Sequence, residues 1–202
     1  MDHAHYGYSA LPRRSAVALS QGQRLHAFVV LCLEHWDAEP LPGAVRDPRF
    51  VGEFGSFSPD YRSWTQREYG LRLGLFRVLD ALREAGITPA VAANAHALLR
   101  LPDLARRLAA QGCEFIGHGL AANDLMHGDM PHETQRDHIA HSLAAFDDVL
   151  GARPLGWLSQ DWGTSPETFG LLAAAGLRYT LDWCNDDQPY ALCTTPPLTA
   201  IP

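Results

Sequence analysis

The histidine of Gly117-His118-Gly119 follows a short apolar run, Phe115-Ile116. An acid stands in a comparable place at Glu34, directly after the apolar run Ala27-Phe28-Val29-Val30-Leu31-Cys32-Leu33, and opens the stretch Glu34-His35-Trp36-Asp37. A third polar cluster, Trp183-Cys184-Asn185-Asp186-Asp187-Gln188-Pro189-Tyr190, follows Tyr179-Thr180-Leu181-Asp182. Carboxylates and imidazoles are the side chains that exchange protons with a reacting group, so this set has the composition of an acid–base site. A single histidine is more often a satisfied core residue. Here the same arrangement recurs after several apolar runs, which favours function. The adjacent acids Asp186 and Asp187 read either as an Asx-rich turn or as substrate contacts, and their position after a strand favours the second.

The elements that must place these residues repeat along the chain. Four times a helical stretch ends in glycine, and a short apolar strand and a polar or aromatic residue follow. Gly86 leads to Ala90-Val91-Ala92-Ala93 and Asn94; Gly112 leads to Phe115-Ile116 and His118. Gly151 leads to Pro154-Leu155, Trp157 and Ser159; Gly176 leads to Tyr179-Thr180-Leu181, Asp182 and Trp183. Each glycine suits the left-handed position past a helix end. Strands alternating with helices imply a parallel sheet, whose site lies at the carboxyl ends of the strands. The pattern predicts strands near 27–33, 89–93, 113–117, 154–158 and 178–182, and helices over Pro102–Ala110 and about His132–Leu150. Inward positions on the latter are Ile139, Leu143, Phe146 and Leu150.

A chain of 202 residues, 47% hydrophobic, suffices for one domain with a real core, here residues 1–202 with an N-terminal arm over 1–20. Net charge is −7, every basic residue is arginine, and no basic stripe is present, which argues against nucleic acid or an anionic membrane as partner. The apolar runs are of strand length and the first twenty residues lack a signal-peptide core, so a cytoplasmic protein is expected. Cys32, Cys113, Cys184 and Cys193 lack close metal-type spacing and read as buried free thiols. A homo-oligomer stays open.

Residues 38–67 form a loop rich in Pro, Gly, Ser and Phe, and Phe50, Phe54, Phe57, Tyr61 and Trp64 suit docking against a pocket. From Arg67 a helix is expected, with Leu71, Leu75, Val78, Leu79 and Leu82 on one face through Gly86. Gly70 and Gly74, one turn apart and costly in a helix, point to close packing. Tyr69 and Arg72 could reach a site from there; a packing tyrosine and a solvated arginine are equally good readings. His138 and His141 lie one turn apart, and a solvated helix face is preferred to a metal pair.

Four blocks together resemble the polysaccharide deacetylase superfamily, in particular its metal-independent, allantoinase-like branch. They are Arg67-Glu68-Tyr69-Gly70-Leu71-Arg72-Leu73-Gly74, Glu114-Phe115-Ile116-Gly117-His118-Gly119, Leu155-Gly156-Trp157-Leu158 and Asp186-Asp187-Gln188-Pro189-Tyr190. The resemblance implies an α/β fold, an irregular (β/α) barrel, and hydrolysis of carbon–nitrogen bonds other than peptide bonds. Metal-dependent members carry two aspartates after the first strand and a His-x-x-x-His motif. Here Glu34 matches the first acid, but Trp36 stands at the metal-binding acid; His118 matches the first histidine, but Ala122 stands at the second. Gly156-Trp157-Leu158 replaces the family's arginine–proline motif. The family barrel needs more strands than are legible, so the barrel is expected to be incomplete at the C-terminus, with an open sheet edge and doubtful independent activity.

The resemblance and the rim together assign Glu34 as general base on water and His118 as the group that polarises the carbonyl or protonates the leaving nitrogen. Asp186 or Asp187 would accept from substrate N–H groups, Trp157 and Trp183 would wall the pocket, and Tyr69, Arg72 and Asn123 would bind polar edges. With two good ligands in view, no catalytic metal is expected, and zinc is the alternative. The resemblance implies a small-molecule substrate, a linear or cyclic amide such as an allantoin-like ureide, or an N-acetyl group. The competing functions are a metal-dependent sugar or peptidoglycan N-deacetylase and a catalytically inactive binding module or fragment on the same scaffold.

Overall fold

The computed structural model of the chain describes residues 3–15, 19–39 and 59–202. Five strands lie in the order of the sequence: β1 Val30–Leu33, β2 Ala90–Ala93, β3 Phe115–Gly117, β4 Gly156–Trp157 and β5 Tyr179–Thr180. Every pairing among them is parallel. Two more strands follow, β6 Tyr190–Leu192 and β7 Leu198–Ala200. The sheet order is β1-β2-β3-β4-β5-β7-β6, so β7 inserts between β5 and β6, parallel to the first and antiparallel to the second. Among the described residues the sheet is open, with β1 and β6 at its two edges. Over the same residues this is an α/β fold with a mostly parallel sheet that does not close into a barrel.

Between the strands run α1 Tyr61–Tyr69, a π-helical turn Gly70–Gly74, α2 Leu75–Glu84, α3 Ala95–Arg100, α4 Pro102–Ala110, α5 His132–Leu150 and α6 Thr168–Ala174. Helix α5 buries Ile139, Leu143 and Phe146 and stops where Gly151 adopts φ 69°. One apolar cluster joins Leu33, Val91, Ala93, Leu98, Leu108, Phe115 and Phe146; a second joins Ile139, Leu143, Trp157, Phe169, Leu172 and Leu198.

Three expectations about elements change. Strand β1 is shorter than 27–33 and lies at the edge; Phe28 is exposed and the strand is only half-buried. The helix before β2 begins at Tyr61, where the Asp60 carboxylate accepts from the Ser63 amide. Of its apolar face only Leu75 is buried, and Val78 is exposed. Gly70 and Gly74 are not points of close packing, since a Cβ at Gly70 meets nothing and one at Gly74 only a carbonyl at 3.9 Å. They bracket the π-helical turn instead, a deformation that glycine tolerates. Tyr61 and Trp64 belong to α1, where their rings meet edge-on; Phe50, Phe54 and Phe57 lie outside the described residues.

Candidate active site

Glu34 and His118 are the residues that follow β1 and β3, two strands that both pair in parallel with β2. Their side chains therefore leave the sheet at the same rim. They meet there: His118 Nε2 lies 2.8 Å from Glu34 Oε1, with the imidazole almost fully enclosed and the carboxylate about a third open. At the end of β2 between them, the Asn94 side chain accepts from the His35 amide, donates to the His35 carbonyl and caps α3 through the Ala97 amide. The turn that presents Glu34 is thereby fixed.

His118 is held from three sides. Its Nδ1 donates to the Leu158 carbonyl at 2.5 Å, and its own carbonyl accepts from Gln160 Nε2. A Cβ on Gly117 would lie 2.6 Å from the Trp157 ring, so only glycine lets β3 pass Trp157. Gly119 turns with φ 74°, and its carbonyl accepts from Ala95 and Ser142. Burial pulls the His118 pKa down. Hydrogen bonds with Cys32 and Glu34, the charge of Glu34 and the Leu158 carbonyl outweigh it and carry the pKa up to about 9. At neutral pH His118 is an imidazolium beside a carboxylate, with both ring N–H groups donating.

A buried chain of bonds supports this from β4 and β5. Asp182, past β5, accepts from the Ser159 amide at 2.6 Å, from Ser159 Oγ at 3.0 Å and from Thr180 Oγ1 at 2.7 Å. Ser159 Oγ accepts from Trp157 Nε1. Burial raises the Asp182 pKa against these bonds. Asp182 fixes Ser159, and Ser159 follows the carbonyl that orients His118.

The structure also supplies a third donor, Cys32, which is not the buried thiol expected from sequence. Cys32 lies two residues before Glu34 on β1, on the same face of the strand. It is exposed, as are Cys184 and Cys193; of the four thiols Cys113 alone is buried. Among the described residues, donor atoms of Cys32, Glu34 and His118 lie within 4.8 Å of one another. The signal in sequence was the two-residue spacing from Glu34 in a strand.

The other candidates go elsewhere. Trp157 is fully buried beneath Gly117, so it is core and walls no pocket. Trp183 packs edge-on against Phe169 and the arm residues His5 and Tyr6. Asp186 accepts from Arg14 of the arm at 2.5 Å, and Asp187 is exposed. Tyr69 is exposed and its hydroxyl accepts from Arg77, while Arg72 is exposed beside Glu68. Both leave α1 and its π-helical turn on the solvent side. Asn123 joins the rim as a strut, accepting from the Asp37 amide and donating to the Asp37 carbonyl. His138 is not on a solvated face: it is buried, 3.3 Å from the Asp124 carboxylate, whereas His141 is exposed.

A metal ion of the kind that metal-dependent members of the superfamily hold finds no ligand here at two of its positions. The Trp36 ring lies under the Arg67 guanidinium, 3.5 Å from the ring centroid, and Ala122 is a buried methyl. The donors Cys32, Glu34 and His118 do fit such an ion, with the His118 Nδ1–H already bound to a carbonyl as in histidine ligands generally.

The sequence profile of the family described as polysaccharide deacetylase matches residues 69–180. No curated protein matches the chain. Among solved structures, Puue allantoinase is 26% identical with a TM-score of 0.69, over 87% of this chain and 60% of its own. A Pseudomonas aeruginosa PAO1 protein described as a probable polysaccharide deacetylase gives the same figures of 26%, 0.69, 87% and 60%. A Mycobacterium smegmatis protein carrying the polysaccharide deacetylase description is 21% identical, with a TM-score of 0.75 over 94% of this chain and 62% of its own. The chain thus spans 60 to 62% of the length of these structures.

Proposed function

Because this chain belongs to the polysaccharide deacetylase family, we propose that it hydrolyses a carbon–nitrogen bond other than a peptide bond, in a linear or cyclic amide or an N-acetyl group of a small molecule. The observation that carries the reading is the 2.8 Å contact of His118 with Glu34 at the carboxyl rim of a parallel sheet. Hydrolysis of an amide requires a proton taken from water, a polarised carbonyl and a proton given to the departing nitrogen. Glu34, partly open to solvent, takes the first proton. His118, charged at neutral pH, polarises the carbonyl oxygen and gives its proton to the nitrogen. The likeness to an allantoinase supports a ureide as substrate.

A second reading, a metal-assisted N-deacetylase, is favoured by the convergence of Cys32 on the same pair. A zinc ion held by Cys32, Glu34 and His118 would acidify a bound water and polarise a carbonyl. The test is turnover of allantoin, other cyclic ureides and N-acetylated sugars by wild-type chain and Glu34→Gln, with and without zinc. Cleavage in one class, lost in the variant, is expected. No cleavage of any of them by the wild type, in either condition, overturns the proposal.

A further inference from the structure

We propose that His138 is a positioning residue of the rim centre: through its buried contact with Asp124 and its ring edge against Gly119, it sets the turn that presents His118. The inference rests on Glu34 and His118 as the working pair of the proposed reaction, which itself uses neither His138 nor Asp124. His138 stands on α5 and Asp124 in the loop that follows His118, and they are 5% and 8% exposed. His138 Nδ1 lies 3.3 Å from Asp124 Oδ2. Among the described residues no hydrogen bond reaches that oxygen. A carboxylate oxygen shut away from water is costly unless a partner faces it, and here the imidazole stands in that place.

The other edge of the ring touches the turn itself. A Cβ on Gly119 would lie 3.0 Å from His138 Nε2, so the ring is seated against the residue after His118. Gly119 takes φ 74° there, and one turn further along α5 Ser142 Oγ donates to its carbonyl at 3.0 Å. Asp124 carries the same grip outward along the rim. Just before it, the Ala122 amide donates to the His35 carbonyl at 2.9 Å, and Asn123 is bonded twice to the Asp37 backbone. His138 thus ties α5 to both arms of the rim: directly to the turn after His118, and by way of residues 122–124 to the residues after Glu34. A side chain that does chemistry needs neighbours locked by packing and hydrogen bonds, and His138 is such a neighbour. Removing one member of a buried pair leaves the other unpartnered, so the loss of the imidazole is felt by the whole loop and not by a local void alone.

The test compares wild type, His138→Leu and His138→Asn at one pH, metal-stripped and without substrate. It reads the ring N–H resonances of His118, assigned by their loss in His118→Gln, the hydrogen exchange of the Ala122 and Asp124 amides, and the urea midpoint. His138→Leu should move the His118 resonances and speed exchange at both amides on the order of 10- to 100-fold, beyond what the fall in global stability accounts for. Asparagine places an amide nitrogen where Nδ1 stands, so His138→Asn should restore slow exchange. If His138→Leu does not fold, Asp124→Asn, which keeps the shape and removes the charge, carries the same readouts. Resonances that stay in place in every folded variant, or exchange that rises only in step with the falling urea midpoint, overturn the proposal. Neither readout needs turnover: a chain that cleaves no amide while these signals move removes the hydrolase reading and leaves the positioning role. Unmoved signals in a chain that does cleave one do the reverse.

Discussion

The His118–Glu34 pair combines a group buried enough to lose its hydration with a partner that keeps part of its own. That asymmetry sets how the pair responds to substitution and to pH. Replacing Glu34 with glutamine removes both the proton acceptor and the negative charge that holds His118 protonated. Turnover should fall about 100- to 10,000-fold, and the His118 titration, followed by NMR of its ring protons, should move down from about 9. The same shift fixes a dependence of stability on pH. In the unfolded chain the ring releases its proton near 6.5, and in the folded chain near 9. The folded state thus binds the extra proton between these values, so stability falls as pH rises. The contribution is complete below pH 6.5 and lost as pH rises through about 9. Melting temperatures of the metal-stripped chain across this window should decline, and the decline should be shallower in Glu34→Gln. A flat profile in the wild type would contradict the charged pair.

Strands β3, β4 and β5 carry the support for the site, and each can be tested by a single change. A methyl at Gly117 would enter the Trp157 ring, 2.6 Å from its nearest atom. Gly117→Ala should cost about 1–3 kcal/mol of stability by overpacking, read as a lowered urea midpoint, and should displace His118. Asp182→Asn turns an acceptor toward donors, since its carboxylate now accepts from the Ser159 amide, Ser159 Oγ and Thr180 Oγ1. A loss of about 1–3 kcal/mol is expected from the buried groups left unpaired. Rescue by glutamate is not expected, because the longer side chain has no room in a site that is 3% exposed.

At the scale of the molecule, the N-terminal arm closes over the β5–β6 side. The His5 carbonyl accepts from the Cys193 amide, the Tyr6 hydroxyl accepts from Asn185, and Arg14 pairs with Asp186. The Tyr6 ring packs on Trp183 and Tyr190. Tyr6→Ala should cost about 1–2 kcal/mol and make the arm the first site of limited proteolysis. Unchanged cleavage would mean that the ring contacts do not hold the arm. The opposite edge is β1, the strand that carries Cys32 and leads into Glu34. No helix among the described residues is long and apolar enough to cross a membrane.

The strand–helix alternation and the residues that follow each strand were legible because they depend on local rules: glycine past a helix end, short apolar runs, a polar residue at the turn. These determine five parallel strands and place Glu34 and His118 at one rim. Strand β7 was not legible, because three residues after two prolines carry too little pattern; β5 and β6 complete it from either side. Tertiary contact alone decided which rim residues meet. Asp186 turned to Arg14, Trp157 sank beneath a glycine, and Tyr69 and Arg72 faced solvent at the end of α1 and in the π-helical turn after it. Cys32 became a donor because its thiol is exposed on the strand face it shares with Glu34, beside the pair, instead of buried among neighbours. Sequence spacing sets the end of the sheet a side chain leaves from; the packing of elements distant in sequence sets what it touches there.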